Sequence, residues 1–315
     1  MPFLAATGAI RRIFEGGVMG ALMQSWWGPL VISAGVTTSV MWLLLTRLRQ
    51  FALDTPNHRS LHEVPVPRTG GWAILAGVAA GVLAAGVDLS AGVVVAFLLL
   101  LSVSVVDDLC SLSARLRFVA QLVSVSLLAI SQVPELAHWL LWVPVVITGV
   151  WIVNLYNFMD GMDGFAGGMT SIGFVALGGI CSLRGAGELA GICFLLALSS
   201  AIFLYYNWPR ARIFMGDAGS TVIGLAVFSV GIAGWQQGVF SLAVPLLIFL
   251  PFWFDATLTL MIRMVRRERW WEAHRQHLYQ RAALKFGVKS VLYLELSVML
   301  CTSAAAVLLI VSGVI

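Results

Sequence analysis

Carboxylates recur beside long apolar runs in this sequence: Asp107-Asp108, Asp160 with Asp163, Asp217 and Asp255. An ionised side chain at the rim of a bilayer is costly unless paired, hydrated or bound to metal, so this placement reads first as a functional site. Asp107 and Asp108 are neighbours with no Lys or Arg before Arg115. Adjacent helical side chains point about 100° apart, so one can reach a site while the other orients it, unless the helix frays there. Their mutual repulsion calls for a cation between them. The most specific segment runs from Asn154 to Gly168, with polar side chains at Asn154, Asn157, Asp160 and Asp163. Three such steps drift by roughly 180° on a straight helix. A break around Gly161 and Gly164 would bring Asn157, Asp160 and Asp163 together, and irregular backbone at membrane depth is tolerated where it lines a polar cavity.

Phe214-Met215-Gly216-Asp217-Ala218-Gly219-Ser220-Thr221 reads as a helix start. Its free N–H groups suit a phosphate, Asp217 suits a hard cation such as magnesium, and Phe214 offers a flat face to a nucleobase. The plainer alternative is an N-cap and an interfacial anchor. Between Arg47 and Thr69, Arg59, His62 and Arg68 are candidates to face a phosphate or anionic lipid heads, ahead of Gly70-Gly71, where backbone can approach closely. In the last basic segment, Arg263, Arg266, Arg267 and Trp270 at helical spacing are expected on the membrane surface. His274 and His277, with Arg275 beside them, form a donor set for pyrophosphate oxygens, whereas a zinc site would want further N or S ligands.

The elements that must position these groups are membrane spans. The chain has 315 residues, 60% hydrophobic and 11% charged, against about 25% charged in soluble domains. A span needs roughly 20 apolar residues. Candidates cover 26–46, 70–86, 91–106, 117–133, 138–153, 165–183, 188–206, 218–235, 241–262 and 288–312. They lack the alternation of barrel strands, so an all-α polytopic bundle of about ten spans is expected. All but Arg11, Arg12 and Arg184 of the 19 basic residues follow odd-numbered spans, which puts those loops in the cytoplasm and both termini on the periplasmic side. The acidic clusters then gather on the cytoplasmic face. Residues 1–25 read as an amphipathic segment retained ahead of a single transmembrane catalytic domain, 26–315, with Trp26-Trp27 as interfacial anchor. Cys110, Cys181, Cys193 and Cys301 lack metal or disulfide spacing and read as packing residues. The partners expected are the bilayer and phosphorylated small molecules, with no nucleic acid.

Taken in order, Asp107-Asp108, Asn157-x-x-Asp160-Gly161-x-Asp163-Gly164, Phe214-Met215-Gly216-Asp217-x-Gly219-Ser220 and His274-x-x-His277 resemble the polyprenyl-phosphate N-acetylhexosamine-1-phosphate transferase family, over roughly residues 54–281. Pro56-Asn57-x-Arg59-x-x-His62-x-x-Pro65-x-Pro67-Arg68-x-Gly70-Gly71 is similar to the branch that initiates O-antigen and related glycans on undecaprenyl phosphate. The branch that moves phospho-muramoyl-pentapeptide usually carries three consecutive histidines in its last loop. This chain reads His274-Arg275-Gln276-His277-Leu278-Tyr279-Gln280, which leaves the sugar open.

The resemblance implies a multi-pass enzyme of the bacterial inner membrane that takes a UDP-N-acetylhexosamine and undecaprenyl phosphate, releases UMP, uses Mg2+ (or Mn2+), and forms a homodimer. It implies Asp217 as principal metal ligand, with Asp107 or Asp108 assisting the metal or engaging the lipid phosphate. Asn157, Asp160 and Asp163 would complete a polar floor. His274, Arg275 and His277 would hold diphosphate, and Phe214 would stack on uracil. Direct displacement and a phospho-aspartyl route through Asp107 or Asp108 both fit. Membrane prenyltransferases expect Asn-x-x-x-Asp-x-x-x-Asp, where the polar step here is three. CDP-alcohol phosphotransferases begin with Asp-Gly but continue with Ala-Arg and a later Gly-x-x-x-Asp-x-x-x-Asp, which this chain lacks. A cation-coupled transporter shares Gly-broken helices but predicts acidic groups on both faces.

Overall fold

Where the bilayer supplies no water, backbone polar groups must be satisfied within each segment, and the apolar runs accordingly form helices. The computed structural model describes residues 18–55, 64–133, 139–268 and 274–314. Its helices are α1 (Val18–Thr46), α2 (Gly70–Ala85), α3 (Ala91–Cys110), α4 (Ala114–Gln132), α5 (Trp142–Met159), α6 (Phe165–Leu183), α7 (Gly187–Asn207), α8 (Gly216–Gln236), α9 (Ala243–Ile248), α10 (Leu250–Val265), α11 (Leu278–Phe286) and α12 (Val288–Val311). Eight of them, α1, α3 to α8 and α12, are long and apolar enough to cross a membrane. The chain is an all-helical polytopic membrane protein. One antiparallel pair of two-residue strands, β1 (Leu53–Asp54) and β2 (Val66–Pro67), draws the ends of the first long loop together, with Leu53 opposite Pro67.

The first expected span, 26–46, agrees with the apolar stretch Ser25–Thr46 of α1, and residues 1–17 lie outside the described residues. Two other features differ from the expected spans. The α3 helix does not fray after residue 106 but runs to Cys110, which carries Asp107 and Asp108 in its last turns. The ninth apolar run is split at Phe249 into α9 and α10, with Pro251 in the first turn of α10 where its missing N–H costs nothing.

The hub is α8, buried along most of its length and packed against α2, α3, α4, α5 and α7. Small residues permit this, since membrane helices associate by close backbone approach rather than by hydrophobic drive. A Cβ on Gly224 would lie 2.9 Å from the Cα of Val153 on α5, and one on Gly71 of α2 would run into Gly219 of α8. Buried hydroxyls tie α1 to α7, where Ser33 and Thr37 meet Ser199 at 3.0 and 3.1 Å.

Candidate active site

The first long loop is laddered onto the segment that precedes α8. Phe214 N–H donates to the Pro67 carbonyl at 2.7 Å, while Gly70 and Gly71 N–H donate to the carbonyls of Phe214 and Met215, each at 2.8 Å. Gly216 then adopts φ +77°, and a Cβ there would collide with the Arg68 carbonyl, so only glycine fits. This geometry leaves the first N–H groups of α8 without intrahelical partners. Asp108 supplies acceptors: Oδ1 takes the Asp217 N–H at 2.9 Å, and Oδ2 takes the Ala218 N–H at 3.2 Å and the Trp72 Nε1–H at 3.3 Å. Arg68 works at the opposite pole, its guanidinium donating to the main-chain carbonyls of Asp107 and Asp108 at the C-terminal end of α3. In the structure Arg68 therefore braces the acidic pair. Arg59 and His62 lie outside the described residues.

Asp107 points to the neighbouring side. Its Oδ1 accepts the Leu112 N–H at 2.6 Å and its Oδ2 sits 3.1 Å from Arg117 Nη1, which also lies 3.6 Å from Asp217 Oδ2. The Asp107 and Asp217 carboxylates meet at this arginine. Asn157 Oδ1 accepts from Ser220 Oγ at 3.0 Å, and Asp160, in the break after α5, accepts the Gly216 N–H. Burial, reinforced by the Asp217 and Asp108 charges, holds the Asp160 carboxyl well above the usual carboxylate range.

The break between α5 and α6 falls at residues 160–164, with Gly164 at φ +75°. Asn157, in the last turn of α5, and Asp160, at its end, both reach the start of α8. Asp163 takes a different partner, with Oδ2 accepting the Ala211 N–H at 3.0 Å in the run that leads to Phe214. Asn207, nearly fully buried, completes this brace by accepting from Gly164 N–H at 2.9 Å and donating to the Ile213 carbonyl at 2.8 Å. Phe214 is partly buried, its backbone held on both sides by the first loop.

The histidine loop docks on the same break. Asp255, buried in α10, accepts the Leu278 and Tyr279 N–H groups, each at 2.8 Å, and so caps α11; His277 Nδ1 lies 3.5 Å from it. Tyr279 O–H donates to the Phe158 carbonyl at 3.1 Å. The His277 ring is 2% exposed and stacked on His274 at 4.7 Å, which makes it a support for its neighbour, while His274 is partly buried and Arg275 exposed. Arg263 corrects an expectation: it is 5% exposed and lies 3.5 Å from Glu268 rather than on the membrane surface, although Arg266 and Arg267 are exposed. Trp270 lies outside the described residues.

Burial, aided by His277 and Arg263, pulls the His274 ring down to about 4. The Gln276 N–H donates to its Nδ1, so at neutral pH the ring is uncharged with its proton on Nε2, a single donor. The unfolded chain binds this proton at about 6.5, so stability is present above that value and falls as pH drops toward 4. Melting temperature followed between pH 7 and 4 is expected to fall less steeply in His274→Gln than in the wild type. Parallel curves would remove the depressed ring as the cause.

Among the described residues no three His, Cys, Asp or Glu side chains gather as a metal cluster. Magnesium seldom needs one, since it is held by one or two carboxylates together with substrate phosphates and waters. Asp107 and Asp217 fit that donor set. An apolar cavity of about 310 Å³ runs along α5, α8 and the α9–α10 break, lined by Ile152, Tyr156, Val227, Phe228, Phe249 and Trp253 among others. On α8 its lining begins at Val227, roughly 15 Å along the helix from Asp217, so the cavity lies deeper in the bundle than the carboxylates. Arg117, Trp72 and Asn207 belong to this site and were not singled out from the sequence; Asp255 was, without its capping role.

Residues 90–235 match the model of the family described as Glycosyl transferase family 4. Over 257 residues the chain is 33% identical to the probable undecaprenyl-phosphate N-acetylglucosaminyl 1-phosphate transferase of Bacillus subtilis, covering 75% of this chain and 71% of that protein. It is 31% identical over 313 residues to the decaprenyl-phosphate N-acetylglucosaminephosphotransferase of Mycobacterium leprae, covering 81% and 77%. A shorter match, 30% over 197 residues, covers 55% of this chain and 52% of the undecaprenyl-phosphate alpha-N-acetylglucosaminyl 1-phosphate transferase of Yersinia pestis.

Proposed function

The chain belongs to the polyprenyl-phosphate N-acetylhexosamine-1-phosphate transferase family, and from that premise we propose that it transfers an N-acetylhexosamine 1-phosphate from a UDP-sugar to undecaprenyl phosphate in the bacterial inner membrane. UMP leaves, and the product opens O-antigen or a related cell-envelope glycan. The observation that carries this reading is the convergence of Asp107, Asp108, Asp160 and Asp217 on the N-terminus of α8. N-acetylglucosamine is the first sugar to test, because the relatives' names carry it.

An oxygen of the lipid phosphate attacks the β-phosphorus of the UDP-sugar, and the bond to the bridging oxygen of UMP breaks. The attacking phosphate is already ionised near neutrality, so it needs placement and charge neutralisation more than a base. Asp107 and Asp217 would hold Mg2+, with Mn2+ as substitute, which supplies charge stabilisation for the diphosphate and the departing UMP. Asp108 keeps Asp217 in place by capping the helix that carries it. Asn157, through Ser220, and Asp160, through Gly216, form the polar floor. His274 donates Nε2–H and Arg275 offers its fork to phosphate oxygens, with His277 and Asp255 behind them. Phe214, partly buried directly ahead of α8, is the candidate uracil contact. Direct displacement is favoured over a phospho-aspartyl route through Asp108, since both its oxygens already accept hydrogen bonds, which lowers their nucleophilicity.

Purified protein given undecaprenyl phosphate, Mg2+ and a panel of UDP-N-acetylhexosamines is expected to release UMP with one or a few of them. Absence of release across the panel, from folded protein in lipid, would remove this reading. Release without lipid phosphate would replace it with hydrolysis.

A further inference from the structure

Arg117 occupies a place that the reaction described above leaves unexplained. One nitrogen, Nη1, lies 3.1 Å from Asp107 Oδ2 and 3.6 Å from Asp217 Oδ2, so a single guanidinium bridges the two carboxylates assigned to the metal. We propose that Arg117 is the resident counter-ion of the Asp107–Asp217 pair and yields that place to the divalent metal, so that metal loading releases this guanidinium toward the arriving phosphates. The proposal rests on the reading that these two carboxylates hold the metal.

Three observations carry it. The backbone of Arg117 is fixed relative to Asp107: the link from α3 to α4 is three residues long, Ser111 sits at φ +51°, Leu112 N–H donates to Asp107, and Ser113 caps α4. Only the side chain is free to change place. Asp107 is 3% exposed and Arg117 39%, so the acidic partner is anchored while the arginine has a path to solvent. The pair is otherwise two facing carboxylates beside Asp108 and Asp160, an arrangement that needs positive charge before metal arrives as well as after.

The full chain in detergent is titrated with Mn2+ alone, and free Mn2+ is read by electron paramagnetic resonance. Removing a competing cation should tighten binding, so Arg117→Gln is expected to bind Mn2+ about fivefold more tightly than the wild type, and Arg117→Lys within about twofold of the wild type, because a partly exposed ammonium still competes. Equal or weaker binding by folded Arg117→Gln overturns the proposal. A second measurement needs no variant: phenylglyoxal modification of Arg117 in the wild type, read by peptide mass spectrometry, is expected to rise with saturating Mn2+, and unchanged or reduced modification overturns the proposal equally. Asp217→Asn separates the layers. If it binds Mn2+ like the wild type, the metal assignment falls and this proposal with it; if it loses Mn2+ while Arg117→Gln is unaltered, only the role of Arg117 falls.

Discussion

Asp217→Asn is expected to lower UMP release by at least about a hundredfold, the scale on which a directed electrostatic contact to a reacting phosphate is worth when removed. The substitution is nearly isosteric, and the backbone N–H that Asp108 caps is untouched. What disappears is the negative charge that faces Asp107 and Arg117. The gain that an acid draws from the helix dipole in the first turn is opposed here by burial and by the Asp107 and Asp108 charges, so stability should stay near wild type. Activity and melting temperature are measured on the same preparation. A loss of activity with a preserved transition supports the assigned role, whereas turnover within a few-fold of wild type would move the metal elsewhere.

The effect is concentrated in Asp217 because several elements agree on where it stands. Hydropathy revealed the runs that became α1 to α8 and α12, since a span is written in some 20 consecutive residues. It did not reveal that α3 continues past residue 106, because Asp107 and Asp108 look like a terminus on any apolar scale and are buried instead by Trp72, Arg68 and the start of α8. The glycine-marked break after Met159 was legible, with Asn157, Asp160 and Asp163 expected to converge there; Asn157 and Asp160 reach the start of α8. Asp163 was legible as polar but not as a brace, because its partner Ala211 is 48 residues away and contributes only a backbone N–H. Asn207 and Arg117 were hidden for the same reason: one is a single amide in an apolar helix, the other one arginine in a charge count that topology alone explains. Arg263 had looked like a membrane-surface cation, and its burial depends on how the last loop folds back against α10, through Glu268 and Gln276.

Asp107 and Asp108 are adjacent and chemically identical, yet the structure predicts that their removal will be felt in different quantities. Asp108→Ala withdraws the acceptors of the Asp217, Ala218 and Trp72 N–H groups at once. A buried donor left without a partner costs about 1–3 kcal/mol, and part of that is recovered by water at the mouth, so a loss of about 2–4 kcal/mol is expected, with Asp217 displaced and turnover lost as a consequence. Asp107→Asn keeps an oxygen for the Leu112 N–H and gives up the ion pair to the partly exposed Arg117, which is worth about 1 kcal/mol or less. Its stability should stay near wild type while Mn2+ affinity and UMP release fall by about tenfold or more. Chemical or thermal unfolding in detergent, paired with Mn2+ binding, separates the two. If Asp108→Ala melts like Asp107→Asn, the capping role is wrong and both carboxylates belong to the metal. If Asp107→Asn binds Mn2+ as the wild type does, the metal rests on Asp217 with another partner, and the division of labour has to be drawn around Asp160 instead.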